Sequence, residues 1–296
     1  MPPPFSVSGF LFRAVAVFSV LWYPQQAQQA NSFDDRNDRG LMKTKIENEL
    51  EILEKQENFT ILFACESGSR GWGFPSPDSD YDVRFIYIRH QDTYLSIENK
   101  KDNLEIPITD ILDISGWDIR KALKLLQRSN AVIFEWLQSP IVYCSRFTFR
   151  DELFQLAGEY FSPRASMHHY LGLAGNTLTS NLGADKIRIK HYFYALRPLL
   201  AAMWINKYRE IPPMEFFRLL PLVESPQLHK HIEILLKKKT NALEKDKIAP
   251  IPELHEFIET EYERCRDAAA QFPPFKKGPE PLDAFFRKML QYSPVK

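Results

Sequence analysis

The chain has 296 residues, enough for one large domain or two modest ones, and 44% of them are hydrophobic, so a sizeable core can form. Lysine plus arginine equals aspartate plus glutamate at 38 each, which excludes a global pull toward nucleic acid or an anionic membrane. The three cysteines, Cys65, Cys144 and Cys265, are too scattered for a disulfide framework or a zinc site and fit a reducing cytoplasm.

Phe10 to Tyr23 is mostly apolar, but it is short, contains Arg13 and lacks the positive leader of a secretory signal. Asn31 to Gly40 is polar and reads as a linker. Residues 1–41 are therefore expected to be a disordered extension, or upstream sequence read from a misassigned start. No stretch has the length of a membrane span. Ile46, Leu50 and Leu53 then give helical spacing. Phe59 to Cys65 is a short apolar run and reads as a buried strand. Glu66 to Asp80, rich in Gly, Ser, Pro and Asp, reads as a loop with one helical turn. Asp82 to Arg89 alternates and is rich in Val, Phe, Ile and Tyr, which predicts a second strand. Gln91 to Asn103 is a polar excursion, and Ile106 to Ser115 supplies one or two more strands.

From Asp118 the pattern turns helical: Asp118 to Arg128, Ala131 to Leu137, Phe149 to Phe161, Pro163 to Leu182 and Ile187 to Lys207. The rest reads as helices broken by prolines. The expected fold class is α+β. A small mixed β-sheet domain with flanking helices spans 42–145, and an all-helical domain spans 146–296.

The chemistry concentrates between Glu66 and Asp82. Gly68 and Ser69 directly follow a strand, where a glycine lets backbone approach a phosphate and successive N–H groups can form an anion nest. After ten intervening residues come Asp80 and Asp82, which at i and i+2 on an extended chain point to one side. Paired carboxylates close to a phosphate nest suit metal-assisted phosphoryl or nucleotidyl transfer, because Mg²⁺ takes hard oxygen ligands and shares them with substrate phosphates. Asp113, flanked by Leu112 and Ile114 on an expected strand, is the first choice for a third acid that binds metal or accepts a proton. Asp118 is the second choice, with helix capping as its plain structural role. Arg84 shares the side of Asp80 and Asp82 and can pair with one of them. A calcium loop is excluded, since Val83 and Arg89 stand where an EF-hand needs Gly and Glu. The spacing and Lys of a P-loop are also missing.

Ser67-Gly68-Ser69, a ten-residue spacer, then Asp80-Tyr81-Asp82-Val83 resembles the signature of the DNA polymerase β superfamily of nucleotidyltransferases. The longer strings Cys65 to Phe74 and Asp78 to Tyr87 resemble the bacterial and phage nucleotidyltransferases of the YcgL/RlaP type. The likeness continues through Asp113 to Lys121, Asn130, Glu135-Trp136-Leu137, Ser139-Pro140 and Lys190 to Pro198. It covers most of the chain from Met42, and its mild departure is Gly71 in place of an equally common Ala. Lys186, Lys190, Tyr194 and Arg197 form a polar stripe opposite Ile189, Phe193, Leu196, Leu200 and Met203.

The resemblance implies that this helix faces the sheet across a cleft. Lys190 and Arg197, with Arg70, would then hold a nucleoside triphosphate, and Tyr194 would stack on its base. The implied activity is transfer of a nucleoside monophosphate, with Mg²⁺ or Mn²⁺ at Asp80, Asp82 and Asp113, to a hydroxyl on an RNA end, a protein or a small molecule. A catalytically silent nucleotide-binding or antitoxin-like module of the same fold is the alternative.

Overall fold

In the computed structural model the described residues are 33–107, 111–241 and 246–294, with side chains described from residue 40. Ile46–Lys296 form one compact unit, and the described residues 33–45 fall outside it. Most of the expected N-terminal extension, residues 1–32, lies outside the described residues. Helix α1, Phe33–Glu57, starts inside the stretch expected to be a linker. Its Asp, Arg and Asn residues are polar but contain no proline, and such residues are tolerated in a helix. Ile46, Leu50 and Leu53 are buried along one stripe of α1, as their spacing predicts.

Strand β1, Phe59–Ser67, runs into the single-turn helix α2, Gly68–Trp72. Strand β2, Tyr81–Arg89, is followed by helix α3, Gln91–Leu95, and strand β3, Asn103–Glu105. Strand β4, Leu112–Asp118, leads into helix α4, Ile119–Gln127, and helix α5, Ala131–Gln138, precedes strand β5, Val142–Ser145. These strands form one mixed sheet in the order β3-β4-β2-β1-β5. Strand β2 is antiparallel to β1 and parallel to β4. The fold is α+β, as expected. Strand β5 is an addition, for its four residues are too few to show a period.

The remaining elements are helix α6, Phe149–Tyr160, helix α7, Pro163–Asn181, strand β6, Ile187–Arg188, and helix α8, Ile189–Tyr208. Helix α9, Phe216–Leu219, helix α10, Pro226–Asn241, and strand β7, Lys247–Ile248, follow, then helix α11, Pro252–Gln271, and helix α12, Glu280–Met289. Side-chain oxygens start several helices. Asn130 caps α5 by accepting from Val132 N–H at 3.0 Å, and Ser162 caps α7 ahead of Pro163.

Apolar side chains gather into two cores. One joins Phe63, Cys65, Ile86 and Ile88 of the sheet to α4, α5 and α6, and is closed by Leu282, Phe285 and Met289 of α12. The other is helical, built on α7, α8 and α11. The loop between α2 and β2 ties the two together: Phe74 stacks on Phe193 of α8 with ring centroids 4.9 Å apart. Among the described residues no helix is long and apolar enough to cross a membrane.

Candidate active site

Parallel pairing of β2 with β4 places Asp82 directly beside Asp113. In-register residues on neighbouring strands lie about 4.8 Å apart and share a face. Both side chains are about a third exposed, at 30% and 31%. Two carboxylates brought side by side repel one another. Arg84, two residues along β2, offsets this. Its Nη2 donates to Asp82 Oδ1 at 3.1 Å and to Asp113 Oδ2 at 2.7 Å, so one nitrogen touches both acids. Nη1 donates to the carbonyls of Asp113 at 2.8 Å and Val83 at 3.1 Å.

The β1–β2 pairing sets Ser67 opposite Asp82, which brings Gly68 against the same carboxylate. Gly68 has φ +62°, and a Cβ there would sit 2.1 Å from Asp82 Oδ2. Ser69 begins the buried side of α2, and its hydroxyl donates to Ser79 Oγ at 3.2 Å. Asp80 is exposed at the end of the loop, one residue before β2. Arg70, expected at a phosphate, instead clamps that loop. It donates to the carbonyls of Ser79 at 2.8 Å and Asp80 at 3.1 Å, and its guanidinium lies 3.8 Å over the Tyr81 ring.

Asp118 stands at the far end of β4 from Asp113. It caps α4 by accepting from Arg120 N–H at 2.8 Å, and it accepts from the Tyr94 hydroxyl at 2.9 Å. It is buried, and that burial raises its carboxyl pKa. Capping, its plain structural role, is what the geometry displays.

The stripe on α8 divides. Tyr194 is 37% exposed and meets Trp72 of α2 edge-on, with centroids 6.0 Å apart. Lys190 is half-buried near the start of α8 and Lys186 is exposed before it. Together with Arg188 and Lys247, Lys190 makes the surroundings of His191 positive, which adds to burial in lowering the imidazole pKa. Arg197 does not join the stripe. It is 2% exposed, its Nη1 pairs with Glu135 Oε1 at 2.5 Å, and its Nε and Nη2 donate to the Met214 carbonyl. Its guanidinium also lies 4.9 Å from the Trp72 ring. Arg197, expected to hold phosphate, in this structure directs its donors to Glu135 and the Met214 carbonyl inside the core.

Sequence reasoning missed Glu66. This last buried residue of β1 accepts from Asp82 N–H at 2.8 Å and from the Tyr143 hydroxyl of β5. Burial raises its carboxyl to about 7, against the opposing effect of those hydrogen bonds. Its one signal in the sequence is an acid closing an apolar strand just ahead of Ser67-Gly68-Ser69. Lys239 of α10 was also unforeseen: it is buried and donates to Ser76 Oγ at 3.4 Å, and Ser76 lies 2.8 Å from Ser79 Oγ. A separate cavity of about 320 Å³, lined in part by Leu228, Glu253 and Phe257, includes none of these residues.

The sheet thus carries two in-register acids beside a strand-to-helix glycine, and it is the comparison with known families that gives the class. Residues 42–288 match the family RlaP, described as the RNA repair pathway DNA polymerase beta family, and the chain belongs to it. The chain is similar to the protein YcgL of Bacillus subtilis (strain 168), at 47% identity over 237 residues, or 80% of this chain and 91% of that one. A solved nucleotidyltransferase-like protein from Exiguobacterium sibiricum 255-15 aligns over 76% of this chain and 74% of that chain, at 12% identity and a TM-score of 0.28. That structural likeness is too faint to carry weight.

Proposed function

We propose that the chain is a nucleotidyltransferase that moves a nucleoside monophosphate from a nucleoside triphosphate to a hydroxyl acceptor. The observation that carries this is the pairing of Asp82 with Asp113 around one cationic nitrogen, with the Gly68 backbone against Asp82. Among the described residues no three acidic, histidine or cysteine side chains are grouped closely enough to hold a metal by themselves. Mg²⁺ needs no such cage, since it takes one or two carboxylates and completes its shell with water and substrate phosphates. Two convergent, partly exposed carboxylates fit that demand. Asp82 and Asp113 would hold the ion, with Asp80 reaching in from the loop that Arg70 clamps. A bound Mg²⁺ or Mn²⁺ supplies Lewis-acid neutralisation of the developing phosphoryl charge.

The protein's own groups orient the rest. Gly68 lets the Asp82 carboxylate lie against the backbone, and the Ser69 backbone N–H, next in the chain, would meet the triphosphate. Tyr194, resting on Trp72, offers an exposed ring for a base, and Lys190 adds positive charge one helical turn away. Asp113 is also placed to accept the proton of an attacking hydroxyl. The family's description as part of an RNA repair pathway favours an RNA end as the acceptor. The free cysteines, buried at Cys65 and Cys265 and half-buried at Cys144, favour a cytoplasmic setting.

The test is incubation of the purified protein with each α-labelled nucleoside triphosphate, Mg²⁺ or Mn²⁺ and RNA, following label transfer and pyrophosphate release. Asp82→Asn and Asp113→Asn are expected to lose transfer by roughly 10²-fold or more. Asp118→Asn, which keeps a capping side chain, is expected to retain it. Binding of nucleotide without transfer to any acceptor would mark a silent module instead.

A further inference from the structure

Arg84 holds the position that a metal would need. Its side chain is only 18% exposed and makes four hydrogen bonds, two to the carboxylates and two to strand carbonyls. A guanidinium is always charged, and its fork satisfies several oxygens at once. It therefore draws Asp82 and Asp113 together. A divalent ion and this guanidinium cannot share the same oxygens without strong repulsion between them. An ion that takes Asp82 Oδ1 and Asp113 Oδ2 therefore displaces the guanidinium. A departing Arg84 needs new acceptors for its donors, and the nearest anions that the reaction brings are the phosphates of the nucleotide.

We propose that Arg84 is a resident counter-ion and a specificity device of the site. It blocks metal from the acid pair until a nucleotide is present, then moves from the carboxylates to the triphosphate. This rests on the nucleotidyltransferase reading and adds an order to it: nucleotide binding admits the metal. The arrangement makes free metal a weak ligand of the empty enzyme.

The test uses the full chain and two binding measurements. Mn²⁺ alone is titrated by electron paramagnetic resonance, and ATP is titrated in EDTA by tryptophan fluorescence. Arg84→Gln is expected to bind Mn²⁺ roughly tenfold tighter than the wild type and metal-free ATP several-fold more weakly. Arg84→Lys, which keeps the charge, is expected to stay near the wild type for Mn²⁺ and confirms that a folded variant reports the effect. Melting curves without metal establish that both variants are folded. Unchanged or weaker Mn²⁺ binding by folded Arg84→Gln would overturn the proposal, as would undiminished ATP binding. Asp82→Asn separates the two levels. If it loses Mn²⁺ binding while Arg84→Gln gains none, the metal site stands and the counter-ion role falls. If Arg84→Gln gains Mn²⁺ affinity and adding Asp82→Asn to it does not remove that gain, the metal site itself is misplaced.

Discussion

Gly68→Ala isolates the link between backbone shape and catalysis. The native φ of +62° costs an alanine about 1–2 kcal/mol. In a unit of this size each kcal/mol lowers Tm by about 2–4 °C, so backbone strain alone predicts a fall of roughly 2–8 °C. The added Cβ would also meet Asp82 Oδ2 at 2.1 Å and Cγ at 2.9 Å. That carboxylate ends a partly exposed side chain, so it can swing away at little cost to the fold. Swinging away breaks its contact with Arg84 and its register with Asp113. A displacement of about 1 Å at a reacting centre can cost 10²-fold in rate. Gly73→Ala is the matched control. Gly73 has φ +93°, and its added Cβ would meet Phe217 at an ordinary 3.5 Å. Both variants should lose similar Tm in a scanning calorimeter. In a label-transfer assay, only Gly68→Ala should lose turnover by about 10²-fold. If the two variants kept equal activity, the argument that Gly68 exists to admit the Asp82 carboxylate would fail.

Two further perturbations test buried charge. Glu66 has a folded pKa of about 7, above its ordinary 4.5, so the folded state holds its proton where the unfolded state releases it. Stability from this group is therefore present below pH 4.5 and falls as pH rises toward 7, by on the order of 3 kcal/mol. Urea titrations of the metal-free protein from pH 4.5 to 8 should show that loss, and Glu66→Gln should flatten it. Arg197→Met leaves Glu135 charged and buried, which costs about 3–5 kcal/mol. Denaturant melts should show the loss, and Arg197→Met combined with Glu135→Leu should recover part of it. The nucleotide KM of the folded Arg197→Met protein should stay near the wild-type value, whereas a phosphate-binding arginine would raise it.

Local patterns carried the strands and helices. The apolar run at Phe59 and the alternation after Asp82 mark β1 and β2, and the α2 turn falls inside the Gly- and Ser-rich loop. Alternation also put Arg84 on the side of Asp82. That it would take Asp113 as well depends on the β2–β4 register, which joins strands separated by α3 and β3 and leaves no local trace. Arg197 shows the reverse problem. Spacing along α8 put it on a polar stripe, but nearly the whole circumference of that helix is buried there. A charged residue reads the same in sequence whether it meets water or Glu135. Glu66 depends on Tyr143 and on the main chain of Asp82, both remote in the chain, so its burial could not be read from its neighbours.

The place of α12 has a consequence for how the protein is made. Leu282, Phe285 and Met289 complete the core beneath a sheet whose strands lie between residues 59 and 145. During synthesis the sheet emerges well before residues 282–289, and that face stays uncovered until they follow. Domains ordinarily fold as units in the order they leave the ribosome. Here the acids are synthesised long before the helix that shields the apolar side of their support. Arrival of those three side chains is thus also the step that removes this apolar face from aggregation-prone exposure.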